Sequence, residues 1–430
     1  MRSTDKFKGC LIGGAVGDAL GYAIEFKTED SIFSSYGPGG ITRYANGKGL
    51  ISDDTQMTLF TAAGLLSGTP EYSSGVFEGY PWFLARAYRD WYGTQTENYP
   101  LKHPAVKLAE LPELFSRRAP GNTCLSALEY FDTHGEYGSV DNRINHSKGC
   151  GGVMRVAPIG LYFCDSPFPI AQSDELGAEA AAITHGHSLG FMPAALLCHI
   201  VRRIAEEDAS VFAAVRDSVS ALKELYPSIF HLPHMIRRME KAISLSQDPG
   251  TDDLSAIHQL GEGWVGDEAL AIAVYCALRH SDDFEAGVVA AVNHNGDSDS
   301  TGAICGSILG AKLGYDAIPA YFKGDALELH GVMCDLAQAL CGDEHTGYWA
   351  HHAAIRADIS LFPTYRKEFL EGQTWADYRR DVKKLLRLND AGLTPAGIAE
   401  LLDRQAGFIR EAYDEKVPAF RTAEEIGVSA

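Results

Sequence analysis

Asn293-His294-Asn295-Gly296-Asp297-Ser298-Asp299-Ser300-Thr301-Gly302 is the stretch on which the reading of this chain turns. Carboxylates and hydroxyls alternate over four positions, where a polar loop gives way to the apolar run Ala303 to Gly314. That run reads as a helix. Acidic side chains at a helix start are favoured by its dipole and by free backbone N–H groups. One Asp or Ser suffices for capping, and here four such residues stand together. Crowded anions raise one another's pKa unless a cation neutralises them. Oxygen donors of this kind suit the hard ions Mg²⁺, Mn²⁺ or Ca²⁺.

A second acidic helix start lies far upstream, Ser52-Asp53-Asp54-Thr55, ahead of the apolar run Met57 to Leu66. Two glycine series give the pair weight. One recurs at positions 9, 13, 17 and 21 within Phe7 to Phe26, the other at 302, 306, 310 and 314. Residues four apart share a helix face, and each Gly costs about 1 kcal/mol of helix propensity relative to Ala. Close backbone approach can offset that cost. We therefore expect two central helices pressed tightly against neighbours, or against each other. The first carries Asp18 and Glu25 in an apolar setting. An unpartnered buried carboxylate is costly, so at least Glu25 is expected to face a polar cavity.

Further helices are expected over 82–92, 189–206, 210–225, 232–246 and 267–280, with loops at 28–50 and 93–122. Strand alternation is scarce, and the chain reads as all-α. Residues 1–345 form the expected main domain. Residues 346–430 form a helical extension packed on it, with charged amphipathic helices at Thr374–Leu388 and Thr394–Asp414.

The 430 residues carry a formal net charge of -20 and 46% hydrophobic residues, ample for a large core. Such acidity argues against non-specific binding to nucleic acid or to an anionic membrane. No charge-free apolar stretch reaches the roughly 18 residues of a membrane span, and Met1 to Lys8 lacks a signal-peptide core. Nine scattered cysteines without a CxxC pair suggest neither zinc site nor disulfide framework. A reduced, cytoplasmic setting is expected.

Two further segments hold candidate ligand contacts. Ser147 to Arg155 is glycine-rich, and successive glycines can expose N–H groups to a phosphate; a plain turn fits that spacing equally well. Thr184-His185-Gly186-His187 precedes a helix, but His residues at i and i+2 do not share a helix face.

Taken in order, Gly17 to Glu25, Ser52 to Thr55, Gly152-Val-Met-Arg-Val-Ala-Pro158, Thr184-His185 and Gly296 to Gly302 resemble the motifs of the ADP-ribosylglycohydrolase family. The resemblance runs from about residue 6 to 320. It implies a compact all-α fold around a binuclear centre of two Mg²⁺ or Mn²⁺ ions. The implied ligands are Ser52, Asp53, Asp54, Asp297, Asp299 and Ser300; Ser52 and Ser300 stand where the family often has Thr. It places a mobile or catalytic glutamate at Glu25, and ADP-ribose contacts at Gly149, Cys150, Gly151, Gly152, Met154 and His185. The implied activity is hydrolysis of the glycosidic bond between ADP-ribose and a modified acceptor, foremost mono-ADP-ribosylated arginine on a protein. The rival readings are hydrolysis of another conjugate (serine-linked, nucleic acid or small molecule), a degenerate ADP-ribose-binding protein, and a structural Ca²⁺ site.

Overall fold

In a computed structural model, residues 2–68, 79–102 and 104–342 are described. The order of helices among them is α1 (Thr4–Gly21), α2 (Glu29–Tyr36), α3 (Asp53–Ser67), α4 (Tyr80–Thr96), α5 (Asn122–His134), α6 (Ala157–Tyr162), α7 (Ile170–Ala182), α8 (Ser188–Glu207), α9 (Val211–Leu225), α10 (Leu232–Ser246), α11 (Asp253–Leu260), α12 (Gly266–Arg279), α13 (Phe284–Val292), α14 (Ser298–Leu313) and α15 (His330–Cys341). The described residues form no strand, only single bridges at Gly49–Leu327 and Gly149–Val265. The fold is all-α, as its residues predict. The helices at Thr374–Leu388 and Thr394–Asp414, and the extension 346–430, lie outside the described residues.

The two glycine stripes meet each other. α1 and α14 run antiparallel, and a Cβ added at Gly9, Gly13 or Gly17 would lie 2.2, 2.3 or 2.0 Å from the carbonyl oxygens of Gly310, Gly306 and Gly302. At Gly21 the same atom would lie 2.3 Å from the Ser298 carbonyl. Only hydrogen fits between these backbones, which explains glycine every fourth residue. The seam sets the end of α1 against the start of α14. Residues from α3, α8 and α12 complete the surrounding apolar core, including Leu59, Phe60, Leu196, Ile200, Leu270 and Ile272, all 1% exposed or less.

Three expectations are corrected. The first helix stops at Gly21 rather than Phe26. Beyond it, Ile24 N–H donates to Gly21 and Lys27 N–H to Ile24, both at 2.8 Å, so the chain tightens into turns. Ile24 is pulled inward while Phe26 stays 75% exposed, and Glu25 therefore sits on a turn, not on the helix face of Asp18. The 28–50 loop contains α2, whose start is capped by the Thr28 side chain accepting from Ser31 N–H and favoured by Glu29 and Asp30 in the first turn. The 93–122 segment begins with the last residues of α4 and holds two short 3₁₀ turns, Lys107–Glu110 and Pro112–Leu114.

α8 is long and apolar enough to cross a membrane, but 94% of its apolar window is buried inside the fold. It carries a polar tie to its neighbours. His199 Nδ1 lies 2.7 Å from Asp174 of α7, and Nε2 lies 3.1 Å from Asp217 of α9. Burial pushes the His199 pKa down, but hydrogen bonds and charge from the two carboxylates outweigh it and hold it above its usual 6.5. A raised folded-state pKa adds stability that is complete below the unfolded value and lost as pH rises through the folded one. Thermal midpoints measured from pH 6 upward should thus fall more for the wild type than for His199→Gln. Parallel curves would remove the histidine from that account.

Candidate active site

Three helix ends meet at one buried point. The C-terminal end of α1 supplies Asp18, the start of α3 supplies Ser52, Asp53 and Asp54, and the start of α14 supplies Asp297, Asp299 and Ser300. All are 4% exposed or less. The positive ends of α3 and α14 both face the cluster and favour its negative charge. Ser52 caps α3 by accepting from Asp54 N–H at 3.2 Å, and Asp297 caps α14 by accepting from Ser300 N–H at 3.4 Å. The Ser52 side chain lies close enough to Asp299 to lower the cost of its charge, so the two distant motifs meet here. Glu25 reaches in from its turn: one oxygen each of Glu25, Asp297 and Asp299 lie within 4.8 Å of one another.

Surrounding backbone fixes these groups. Gly121 N–H donates to Asp53 Oδ2 at 3.2 Å, and Asp53 N–H donates to the Arg118 carbonyl. Asp297 N–H donates to the Glu262 carbonyl at 2.9 Å. Asp18, singled out from sequence as a carboxylate in an apolar helix but given no role, has a specific task. Its carboxylate accepts from Ser52 N–H at 3.0 Å, from Thr55 N–H at 3.1 Å and from the Thr55 hydroxyl, closing the N-terminus of α3 from outside. Burial first, then the Asp299 charge, push its pKa up to about 7. Its sequence signal was a carboxylate inside an otherwise apolar glycine helix.

The electrostatics of the side chains alone are unfavourable. Burial, followed by the charge of Asp299, raises Asp53, Asp54 and Asp297 well above the usual carboxylate range. Burial raises Asp299 as well. Asp297 and Asp299 present carboxylate oxygens within 4.8 Å of each other, so each raises the cost of charging its neighbour. Asp54 Oδ2 and Glu25 Oε2 are buried with no hydrogen-bond partner. Orphaned, mutually repelling oxygens are the groups that divalent cations satisfy, and oxygen donors dominate the cluster. Ser52, Asp53, Asp54, Asp297, Asp299 and Ser300 could therefore hold such ions.

The glycine-rich loop borders the cluster. Gly149 bridges to Val265, Cys150 N–H donates to the Trp264 carbonyl at 3.3 Å, and Cys150–Gly152 form one 3₁₀ turn. Cys150 Sγ lies 2.6 Å from Asp297 Oδ2, and Ser300 Oγ points at Met154 Sδ, 3.8 Å away. Gly151 and Gly152 are wedged between other segments; a Cβ on Gly152 would be 3.0 Å from both Ala181 Cβ and the Gly190 carbonyl oxygen. His185 lies beneath this loop, with a Cβ on Gly151 only 3.0 Å from its ring. Burial, and then the Arg155 charge, lower its pKa to about 3, so it is a neutral packing partner that hydrogen-bonds Thr184 at 2.8 Å. Arg155 is itself buried, bonded to Ala180 O and Thr184 Oγ1 and stacked on Tyr88. At the rim, exposed Phe26 stacks on Trp264 with centroids 5.9 Å apart; neither aromatic was singled out from sequence.

Known proteins were compared with this architecture. Residues 1–349 match the family model ADP-ribosylglycohydrolase, and the chain belongs to that family. It is similar to the ADP-ribosyl-[dinitrogen reductase] glycohydrolase of Rhodospirillum rubrum, 26% identical over 74% of this chain and 88% of that one. An ADP-ribosylarginine hydrolase of Serratia proteamaculans (strain 568) is also 26% identical, over 74% of both chains. ADP-ribosylhydrolase ARH3 of Bos taurus is 22% identical over 74% of this chain and 87% of its own. Among solved structures, an ADP-ribosylglycohydrolase-related protein complex superposes with a TM-score of 0.53 and 25% identity, over 79% of this chain and 98% of that one. The protein is accordingly a hydrolase of ADP-ribosylated substrates that releases ADP-ribose.

Proposed function

We propose that this enzyme removes mono-ADP-ribose from arginine side chains of proteins, using two Mg²⁺ or Mn²⁺ ions held by Ser52, Asp53, Asp54, Asp297, Asp299 and Ser300. The observation that carries the reading is the convergence of two acidic helix starts on one buried point with carboxylate oxygens left unpartnered. Bound divalent ions would neutralise the aspartates, orient the ribose hydroxyls and activate water. The remaining chemistry belongs to the chain. Cleavage at the anomeric carbon passes through an oxocarbenium-like state, which a ring of carboxylates stabilises. Before any ion binds, burial, and then the charges of Asp299, Asp297 and Asp53, push the Glu25 pKa up to about 10. Once ions neutralise the aspartates, burial alone still favours the protonated form, and we assign the carboxyl a proton at Oε1 or Oε2. That proton is available to the departing nitrogen, and the resulting carboxylate can then take one from water. To the Gly149–Met154 loop, which borders the cluster and packs on His185, we assign the seating of ADP-ribose.

One relative bears on the acceptor by name: the ADP-ribosylarginine hydrolase, 26% identical. A guanidinium acceptor also suits a chain of net charge -20. We place the enzyme in the cytoplasm, where its nine free cysteines stay reduced. The test is release of ADP-ribose from arginine-linked and serine-linked substrate proteins, with Mg²⁺ or Mn²⁺ added to a metal-stripped sample. Arginine-linked protein should turn over at least about tenfold faster, the scale of one modest pocket contact. Faster release from serine would reassign the acceptor. Silence on both, with metal demonstrably bound, would overturn the reading.

A further inference from the structure

We propose that Cys150 adds a sulfur donor to the carboxylate cluster, so that the site takes a thiophilic divalent cation such as Zn²⁺ or Cd²⁺ through Cys150 Sγ and Asp297 Oδ2. The proposal rests on the reading of the cluster as a cation site. Sγ is 2.6 Å from Asp297 Oδ2 and faces the Ser300 hydroxyl, with the Asp54 charge close by. The thiol is not free to drift. Cys150 N–H is tied to Trp264 O, its carbonyl accepts from Val153 N–H at 2.8 Å and from Met154 N–H at 3.3 Å, and the preceding residue bridges to Val265.

A second, independent observation indicates that the same place needs a ligand. Asp54 and Glu25 are 3% and 7% exposed, and each aims one oxygen into the cluster without a partner. Mg²⁺ takes oxygen and leaves sulfur untouched, whereas Zn²⁺ and its softer congener Cd²⁺ bind thiolate strongly. Binding breaks the S–H bond and forms a sulfur–metal bond. The proton that sulfur shared with Asp297 leaves to the buffer. No oxidant or reductant enters. A thiophilic ion so held would occupy the cluster in place of the working ion and stop hydrolysis.

Of the other cysteines only Cys124 comes near, its sulfur packed behind Gly151 and bonded by Arg155 rather than to a carboxylate. Cys10, Cys124, Cys164, Cys198, Cys276 and Cys305 are buried. Cys334, whose sulfur lies 3.8 Å from His330 Nε2, and Cys341 are partly accessible, which fixes the control. The full chain, in excess Mg²⁺, is titrated with Cd²⁺ while the ultraviolet thiolate-to-Cd²⁺ band and proton release are followed. Wild type and the Cys334→Ser/Cys341→Ser double variant should both develop the band. Cys150→Ser should lose it, with Cd²⁺ affinity lower by at least the ten- to hundredfold that even a lost supporting contact costs. An unchanged band and affinity in Cys150→Ser would overturn the proposal.

A wild-type measurement needs no variant to fold: Zn²⁺ should protect Cys150 from alkylation, read by peptide mass spectrometry, and absence of protection would also overturn it. The two readings fail separately. A sulfur band without ADP-ribose release in Mg²⁺ sinks the enzymatic reading alone. Release without the band sinks the sulfur site alone.

Discussion

Asp299→Asn is expected to lower kcat/KM for ADP-ribose release by more than about a hundredfold, the upper end of what losing a mere supporting group does to a metal site. Asp299 is the carboxylate whose charge raises Asp53, Asp54, Asp297 and Glu25, and it lies beside Ser52 at the start of α3. Asparagine keeps the shape and one acceptor but removes the charge. The sign of the stability change separates a site role from simple damage. In EDTA the variant should unfold at a higher temperature than the wild type, because one member of a crowded buried anion cluster is gone. In Mg²⁺ the order should reverse, since bound ion stabilises only the protein that binds it. A variant less stable in both buffers would mean that Asp299 serves the fold rather than the cation.

Gly306→Ala should be among the most damaging single-methyl additions at the described glycines. Its Cβ would sit 2.0 Å from the Gly13 carbonyl oxygen and 2.6 Å from the carbon behind it. Both are backbone atoms of a helix buried along this face, so neither can rotate away. The helices must separate, at about 3 kcal/mol, the upper range for overpacking. That should lower the melting temperature by about 3–4 °C. Gly331→Ala supplies the contrast. It lies in α15 with nothing within 4 Å of the added carbon. Alanine there should stabilise by about 0.4–1 kcal/mol through chain entropy and helix propensity. Equal effects from the two substitutions, read by calorimetry, would dismiss the seam as a packing device.

The seam and the acidic starts were readable because each has a period or a local density that few other structures produce. Glycine every fourth residue announces backbone contact, and α1 against α14 is that contact. The end of α1 was not readable. Tyr22 to Phe26 continues the apolar pattern, and only burial of Ile24 with exposure of Phe26 reveals the turn that delivers Glu25. α2 could have been found, since Thr28 followed by Glu29 and Asp30 is a helix-start signature that the surrounding glycines and serines obscured. The duty of Asp18 was hidden for a different reason. Its partners are backbone N–H groups at Ser52 and Thr55, more than thirty positions away, and no local pattern encodes them. The contact between Cys150 and Asp297 is likewise tertiary, spanning 147 positions.

The glycine zipper also dictates an order of events during synthesis. A helix as rich in glycine as α1 is poorly stable by itself in water. Its stabilising counterpart spans Ser298–Leu313, so once α1 is made it must wait until nearly three hundred further residues have followed. Until then its apolar surface has no match, and long-range closure of this kind is slow. The enzyme's chemistry is thus assembled late, when the earlier-made α1 and the later-made α14 finally dock.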